Sequence, residues 1–177
     1  MNFIDPQSAL LQFGLKEGMR VADFGAGPGH TALALAKIVG DDGTVFAVDV
    51  QEELLKRLRA DATEQGVGNV EAVWANVEDP KGTRMRDNIL DAAVLSNTLF
   101  QLEDKEAAIK EIQRVLKPKG RLLVIDWAGS YGGIGPKSEH VIEEHEAERL
   151  FLDAGMYKEK AFRPGPHHWA LIFSKPS

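Results

Sequence analysis

The chain has 177 residues, no cysteine, a formal net charge of -6, and 44% hydrophobic and 27% charged residues. This length fits one domain with its own core, over residues 1–177, and the absence of cysteine excludes thiolate metal sites, cysteine nucleophiles and disulfides. The acidic balance disfavours a nucleic-acid partner, and we expect no membrane segment and no signal peptide, hence a cytoplasmic protein.

Short apolar runs alternate with longer amphipathic ones along the chain. A leading helix is predicted over residues 6–13, capped by Asp5, and residues 1–14 are interpreted as a lid. The apolar runs predict strands at residues 20–24, 44–48, 70–75, 89–96, 121–126, 156–162 and 168–174. The amphipathic runs predict helices at residues 31–39, 52–65, 105–116 and 142–153.

This alternation predicts a doubly wound α/β fold, because parallel strands need crossover helices. The last two strands are separated only by residues 163–167, which is too short for a crossover, so they should form an antiparallel hairpin. The predicted fold class is therefore a mostly parallel seven-stranded sheet with a C-terminal antiparallel hairpin.

A glycine-rich segment, VADFGAGPGH at residues 21–30, follows the first predicted strand. Its glycines let a ligand approach the backbone closely, and the helix behind it offers free amide groups. His30 stands where a dinucleotide fingerprint has its last glycine, so the spacing fits a nucleoside with an amino-acid tail better than a pyrophosphate. The alternative is an ordinary tight turn between strand and helix.

The second predicted strand ends in VFAVDV, at Asp49. A carboxylate at this place can accept both hydrogen bonds from a ribose diol. The alternative is a cap for the helix that follows. Combined with the glycine loop, a ribose contact is the better interpretation.

These motifs resemble those of the class I S-adenosylmethionine-dependent methyltransferases. The resemblance runs over residues 15–175 and includes VADFGAGPGH, VFAVDV, WANVEDP, LDAAVLSNTLFQLED and RVLKPKGRLLVIDW. It is strongest to the small-molecule, quinone-methyltransferase-like subgroup. It implies a Rossmann-like methyltransferase fold, S-adenosyl-L-methionine as the methyl donor and S-adenosyl-L-homocysteine as the product.

The resemblance also implies a set of cofactor-binding residues. Asp23 would orient the methionine amino group, Asp49 would bind the ribose, and Ser96 would lie at the methionine end. The other residues would form the backbone under the methionine and ribose or lie beside the ribose and adenine: Gly25, Ala26, Gly27, Gly29, Val50, Asn76 and Val77. Asn76 departs from the aspartate usual in the family, and Phe100 and Gln101 stand where histidines are frequent.

The carboxyl ends of the strands should share one rim, and candidate bases are expected there. His140, His167 and His168 are the candidates, since a neutral histidine can accept a proton near pH 7. The alternatives are a helix cap for His140 and a turn with a strand start for the other two. The glycine-rich loop at residues 127–140 is predicted to close over the acceptor. No metal site is expected.

The leading interpretation is methyl transfer to a small-molecule acceptor, at oxygen or carbon. The alternatives are methylation of RNA or protein, a cofactor-binding protein without catalysis, and a dehydrogenase. The segment Ser96 to Leu99 lacks the Asn-Pro-Pro-Tyr pattern of amino-methylating enzymes, and His30 argues against the dehydrogenase. The sequence does not identify the acceptor or the oligomeric state.

Overall fold

A computed structural model of the protein describes residues 6–177, with side chains from Gln7 onward. The Asp5 cap predicted for the first helix lies outside the described residues. The helices are α1 Pro6–Phe13, α2 His30–Val39, α3 Glu52–Glu64, α4 Lys105–Val115 and α5 Glu144–Asp153. The strands are β1 Arg20–Phe24, β2 Thr44–Asp49, β3 Val70–Trp74, β4 Leu90–Ser96, β5 Leu116–Trp127, β6 Tyr157–Gly165 and β7 His168–Ser174. Short 3₁₀ helices cover Leu99–Gln101 and Ser138–His140.

The strands form a single seven-stranded sheet in the order β3-β2-β1-β4-β5-β7-β6. Neighbours from β3 to β5 are parallel, whereas β7 runs antiparallel to both β5 and β6. This confirms the predicted sheet with its C-terminal hairpin. Because β1, β2, β3, β4 and β5 point the same way, the loops that follow them meet at one edge.

The core lies on both faces of the sheet. Val21 faces α1 and α2, while the next residue, Ala22, faces α4 and α5, since successive side chains of a strand point to opposite faces. Both of these side chains are fully buried. Coverage on both sides explains why the central strands read as continuous apolar runs.

Three element boundaries differ from the sequence predictions by two residues or more. The strand β5 begins at Leu116 rather than at residue 121, because Leu116 pairs with Leu90 before the strand bulges and resumes at Arg121 opposite Ala92. The helix α5 begins at Glu144, since Glu143 and Glu146 form a reciprocal cap in front of it. The hairpin is also tighter than predicted, because β6 continues to residue 165.

No helix within residues 6–177 is long and apolar enough to cross a bilayer.

The end of α2 is tied to the start of β3 by Asn69. Its Nδ2 donates to the carbonyls of Ala36 and Gly40, at 3.0 and 2.7 Å. Each carbonyl also accepts from a backbone amide, so Asn69 adds a second hydrogen bond to each, and we expect Asn69→Ala to lower the free energy of unfolding by about 1–2 kcal/mol. Urea denaturation measures this change. Asn69→Asp, which cannot donate, should lose a similar amount, and full stability in both variants would contradict the role.

Candidate active site

A cleft of about 560 Å³ opens at the edge where the parallel strands end. It is lined by the ends of β1, β2 and β4, the loop after β3, the start of α2 and Leu10 of α1. Nine of the ten residues predicted to bind the cofactor line it: Asp23, Gly25, Ala26, Gly27, Asp49, Val50, Asn76, Val77 and Ser96. The structure therefore brings nine of the predicted residues together in one cleft.

Gly29 is the tenth, and it does not line the cleft. It lies behind the loop with φ +96°, where a Cβ would come within 2.5 Å of the Leu58 side chain on α3. Its small size lets the start of α2 pack against α3. This differs from the place under the methionine that the resemblance implied.

The glycine loop is held against β2 by backbone hydrogen bonds. The amides of Gly25 and Ala26 both donate to the carbonyl of Val48, at 2.8 and 3.0 Å. Gly25 has φ +75°, and a Cβ there would clash with the Thr98 side chain. Gly27, by contrast, has open space where its Cβ would be, so its backbone can lie directly beneath a ligand.

Asp49 supports the loops on both sides of it. Its Oδ2 accepts from the amide of Gly27 and its Oδ1 from the amide of Gln51, both at 2.8 Å. The carboxylate therefore organises the start of α3, as the capping alternative proposed, although Gln51 occupies the N-cap position itself. Each carboxylate oxygen can accept a second hydrogen bond, so both remain able to bind a diol.

Asp23 is the most deeply buried carboxylate in the cleft. Only 2% of the residue is exposed, and its Oδ2 has no hydrogen-bond partner. Burial, with a further contribution from the charge of Asp49, raises the pKa of Asp23 to about 7, and a hydrogen bond from the Ala32 amide opposes this rise. A cation that binds beside such a buried carboxyl group stabilises its ionised form.

The loop after β3 forms the end of the cleft where adenine was expected. The Oδ1 of Asn76 accepts from the Glu78 amide at 3.0 Å, which shapes the turn. This oxygen keeps a second acceptor site, and Val77 lies next to it, 7% exposed. Directly before this loop, the indole of Trp74 at the end of β3 donates to the Val50 carbonyl at 3.0 Å.

The segment after β4 forms the other end of the cleft. Asn97 has a left-handed backbone, φ +52°, and its amide donates to the Ile125 carbonyl at 2.8 Å. Its own carbonyl accepts from the Gln101 side chain, also at 2.8 Å. Both residues line the cleft.

Asp126, which sequence reasoning overlooked, holds the segment after β4 in place by a hydrogen bond. It is 1% exposed and accepts from the amides of Phe100 and Trp127, at 3.1 and 2.8 Å. Burial raises the pKa of Asp126 to about 6. The available signal was its place at the end of β5, which matches that of Asp49 at the end of β2.

The three histidines predicted as bases do not line the cleft. His168 is fully buried beside Trp127, with ring centroids 4.3 Å apart, and His167 packs on Tyr131 at 4.2 Å. His140 is exposed, with its Nε2 3.6 Å from Glu139. A base function for any of them would require the acceptor to extend beyond the cleft.

The loop at residues 127–140 also lies outside the cleft lining. Its residues 128–130 and 138 instead line a groove against the start of α5. Trp127 is 8% exposed and belongs to the core, the alternative that the sequence left open. Among the histidines of the described chain, only His30 lines the cleft.

Acidic side chains dominate the charged groups of the cleft. Its lining residues include Asp23, Asp49 and Glu78, and none of those found within residues 6–177 is a lysine or arginine. In the same part of the chain, no three His, Asp or Glu side chains are grouped to hold a metal ion. The cleft is therefore suited to a ligand with positive charge.

Comparison with known proteins identifies related sequences. A family model described as "Methyltransferase domain" matches residues 15–161. The ubiquinone/menaquinone biosynthesis C-methyltransferase UbiE of Serratia proteamaculans is 36% identical over 116 residues, which are 65% of this chain and 45% of that protein. The UbiE of an Enterobacter species is 38% identical over the same lengths. The chain thus spans less than half the length of these relatives.

Solved structures are also similar to this chain. A SAM dependent methyltransferase from Aquifex aeolicus superposes with a TM-score of 0.89 at 32% identity, covering 97% of this chain and 89% of that one. The [4+2]-cyclase SpnF superposes with a TM-score of 0.78 at 21% identity, covering 92% and 76%. The second likeness shows a shared fold alone.

Proposed function

This chain belongs to the methyltransferase-domain family of class I S-adenosylmethionine-dependent methyltransferases, and from that premise we propose that it transfers a methyl group from S-adenosyl-L-methionine to a small-molecule acceptor. The observation that carries the proposal is the negative cleft, in which Asp23 and Asp49 flank a glycine loop open to a ligand. An adenosine with a cationic amino-acid tail complements both the charge and the backbone of this site.

The residues of the cleft would hold the cofactor along its length. Asp49 has two free acceptor positions for the ribose hydroxyls. The amino group of the methionine part would meet the unpartnered Oδ2 of Asp23. The exposed backbone of Gly27 would lie under the chain between them, and Ser96 would close the methionine end.

The adenine would lie between Val50, Asn76 and Val77. Val50 and Val77 offer apolar contact to the ring, and the side-chain oxygen of Asn76 can accept from the adenine amino group. This replaces the aspartate usual in the family with a neutral acceptor.

When bound, the cofactor would supply a methyl group activated by its sulfonium. The methyl group would pass to the acceptor, the sulfur would keep the electron pair of the broken bond, and the acceptor would lose a proton. This chain's own residues must therefore align the acceptor and exclude water. Leu10, Val94 and Ile125 provide apolar surface in the cleft, and Asn97 and Gln101 provide polar groups to orient an acceptor. The base function of His140, His167 and His168 stays a prediction, as does closure by residues 1–14.

The acceptor is proposed to be a small molecule methylated at carbon or oxygen. The UbiE relatives are C-methyltransferases of ubiquinone and menaquinone biosynthesis, which supports carbon. The apolar end of the cleft, and the lack of lysine and arginine among the lining residues that the structure describes, support an acceptor without phosphate, and hence no nucleic acid.

A thermal-shift comparison tests the proposal. S-adenosylmethionine and S-adenosylhomocysteine should each raise the melting temperature, since a ligand that binds only the folded state stabilises it, whereas NAD should not. A rise with NAD alone would overturn the cofactor assignment. Transfer is then measured with a radiolabelled methyl group offered to pools of small-molecule acceptors, and binding without any transfer would mean a non-catalytic protein.

A further inference from the structure

Residues 97–102, which follow β4, form one wall of the cleft. Four of them line it: Asn97, Thr98, Gln101 and Leu102. The amide of Gln101 donates to the Thr98 carbonyl at 2.9 Å, and its side chain donates to the Asn97 carbonyl at 2.8 Å. The wall is therefore a folded turn with hydrogen bonds of its own rather than an open loop.

Asp126, at the end of β5, holds this wall from the core side. Its carboxylate accepts from the amides of Leu99 and Phe100, the latter at 3.1 Å, and from the amide of its neighbour Trp127. Only 1% of Asp126 is exposed. A charged acceptor shielded from water makes stronger hydrogen bonds than a neutral one, so Asp126 can fix the backbone of the wall.

Lys105, the first residue of α4, holds the far end of the wall. Its Nζ donates to the Leu102 carbonyl at 2.6 Å, and its positive charge also acts on Asp126. Two charged side chains thus hold the amides and the last carbonyl of one short segment. A wall fixed in this way keeps one shape, and small displacements of groups that orient a reactant have large effects on its reaction.

Asn97 is the residue of the wall whose conformation depends most on this support. It adopts φ +52°, which is uncommon for residues other than glycine. Such conformations persist where the surrounding structure holds them, and they are frequent at functional sites. A weaker hold on the wall would therefore let Asn97 shift and change the polar surface that an acceptor meets.

We propose that Asp126 is a positioning residue that governs which acceptor the cleft takes, because it holds residues 97–102 in one shape, with Lys105 as its counterpart at the far end. This inference rests on the proposed function, since it concerns the acceptor side of the same cleft. Asp126 acts through the backbone of the wall. Weakening its hold should change the use of the acceptor and leave cofactor binding intact.

Two measurements on the full chain test the inference. Calorimetry gives the affinity for S-adenosylhomocysteine. Transfer from saturating radiolabelled S-adenosylmethionine to a dilution series of a small-molecule acceptor pool gives the pool concentration for half-maximal transfer. Asp126→Asn, which keeps the size but loses one acceptor oxygen, should raise that concentration about tenfold and leave the cofactor affinity within about twofold. A smaller folded fraction would lower the maximal rate but not change this concentration.

Asp91→Asn is the matched control for this variant. Asp91 lies near the start of β4, at the opposite edge of the sheet, and pairs with Lys117 at 2.6 Å. Its substitution should leave both readouts unchanged, whatever it does to stability. Lys105→Met should raise the half-maximal concentration about threefold, and Lys110→Met, on an exposed position of the same helix, should not change it.

An unchanged half-maximal concentration in Asp126→Asn and Lys105→Met would overturn the inference while the proposed function stands. A loss of cofactor affinity equal to the rise in that concentration would overturn it as well. If Asp126→Asn does not fold, Lys105→Met decides between these outcomes. If the unaltered protein transfers no methyl group to the pool, the proposed function fails, and the inference fails with it.

Discussion

Replacing Asp49 by alanine is expected to weaken binding of S-adenosylhomocysteine by at least about 100-fold. The substitution would remove the hydrogen bonds that the ribose hydroxyls donate to the carboxylate, each worth about 1.5–3 kcal/mol when a charged group accepts. It would also release the amides of Gly27 and Gln51, which Asp49 now holds at 2.8 Å each. The glycine loop would keep its backbone hydrogen bonds to Val48 but lose the one that fixes Gly27, so the effect should exceed that of a ribose contact alone. Isothermal calorimetry measures the change.

Two further variants separate these contributions. Asp49→Asn keeps one acceptor oxygen but presents an NH₂ to one of the two amides, so its loss should be intermediate. Asp42→Ala removes an exposed carboxylate in the turn between α2 and β2 and should have no effect. Full affinity in Asp49→Ala would mean that the ribose is held elsewhere.

The fold was predictable because its signals are local. Alternating apolar and amphipathic runs indicate crossover units, and the five residues 163–167 between the last two predicted strands are too few for one. The beginning of β5 was not predictable in this way. It depends on the pairing of Leu116 with Leu90 and on Lys119, which adopts φ +65°. A register shift between two strands has no signature in the sequence of either one.

The cofactor cleft was predictable for a related reason. Asp23, Asp49 and Ser96 stand at or near strand ends, and the parallel sheet brings strand ends to one edge. The same reasoning was insufficient for the histidines. His168 is the first residue of β7 and pairs with Trp127, which turns its ring into the core rather than toward the cleft. Rim position alone does not determine side-chain direction.

His30 shows the reverse case. Sequence analysis used it only as an argument against a dinucleotide, yet the structure places it in the lining of the cleft. Only the assembled lining reveals that no lysine or arginine accompanies it among the described residues. Asp126 was overlooked similarly, since its hydrogen bond to the Phe100 amide spans a separation of 26 residues.

The affinity for S-adenosylhomocysteine is expected to rise with pH across neutrality. In the free protein, burial first and then the charge of Asp49 raise the pKa of Asp23 to about 7. The amino group of the ligand favours the ionised carboxylate, so binding should release a proton at pH values below that pKa. Affinity should therefore fall about 25-fold between pH 7.5 and 5.5, as calorimetry in buffers of differing ionisation enthalpy would measure.

The ligand-free protein should show the opposite trend in stability. Asp23 and Asp126 have folded-state pKa values of about 7 and about 6, above the ordinary 3.8. The folded state therefore holds protons that the unfolded state has released, and the melting temperature should fall as pH rises from about 5 to 7.5. Glu111 does not mask this trend, because Arg114 lowers its pKa to about 2 and it is already ionised across the interval.

Asp23→Asn distinguishes Asp23 from the other titratable groups of the cleft, which are Asp49, Glu78 and His30. The variant should bind S-adenosylhomocysteine weakly and lose the rise with pH. If the unaltered protein binds equally well at pH 5.5 and 7.5, and Asp23→Asn does the same, Asp23 does not receive the amino group, and the tail of the ligand must lie in another orientation.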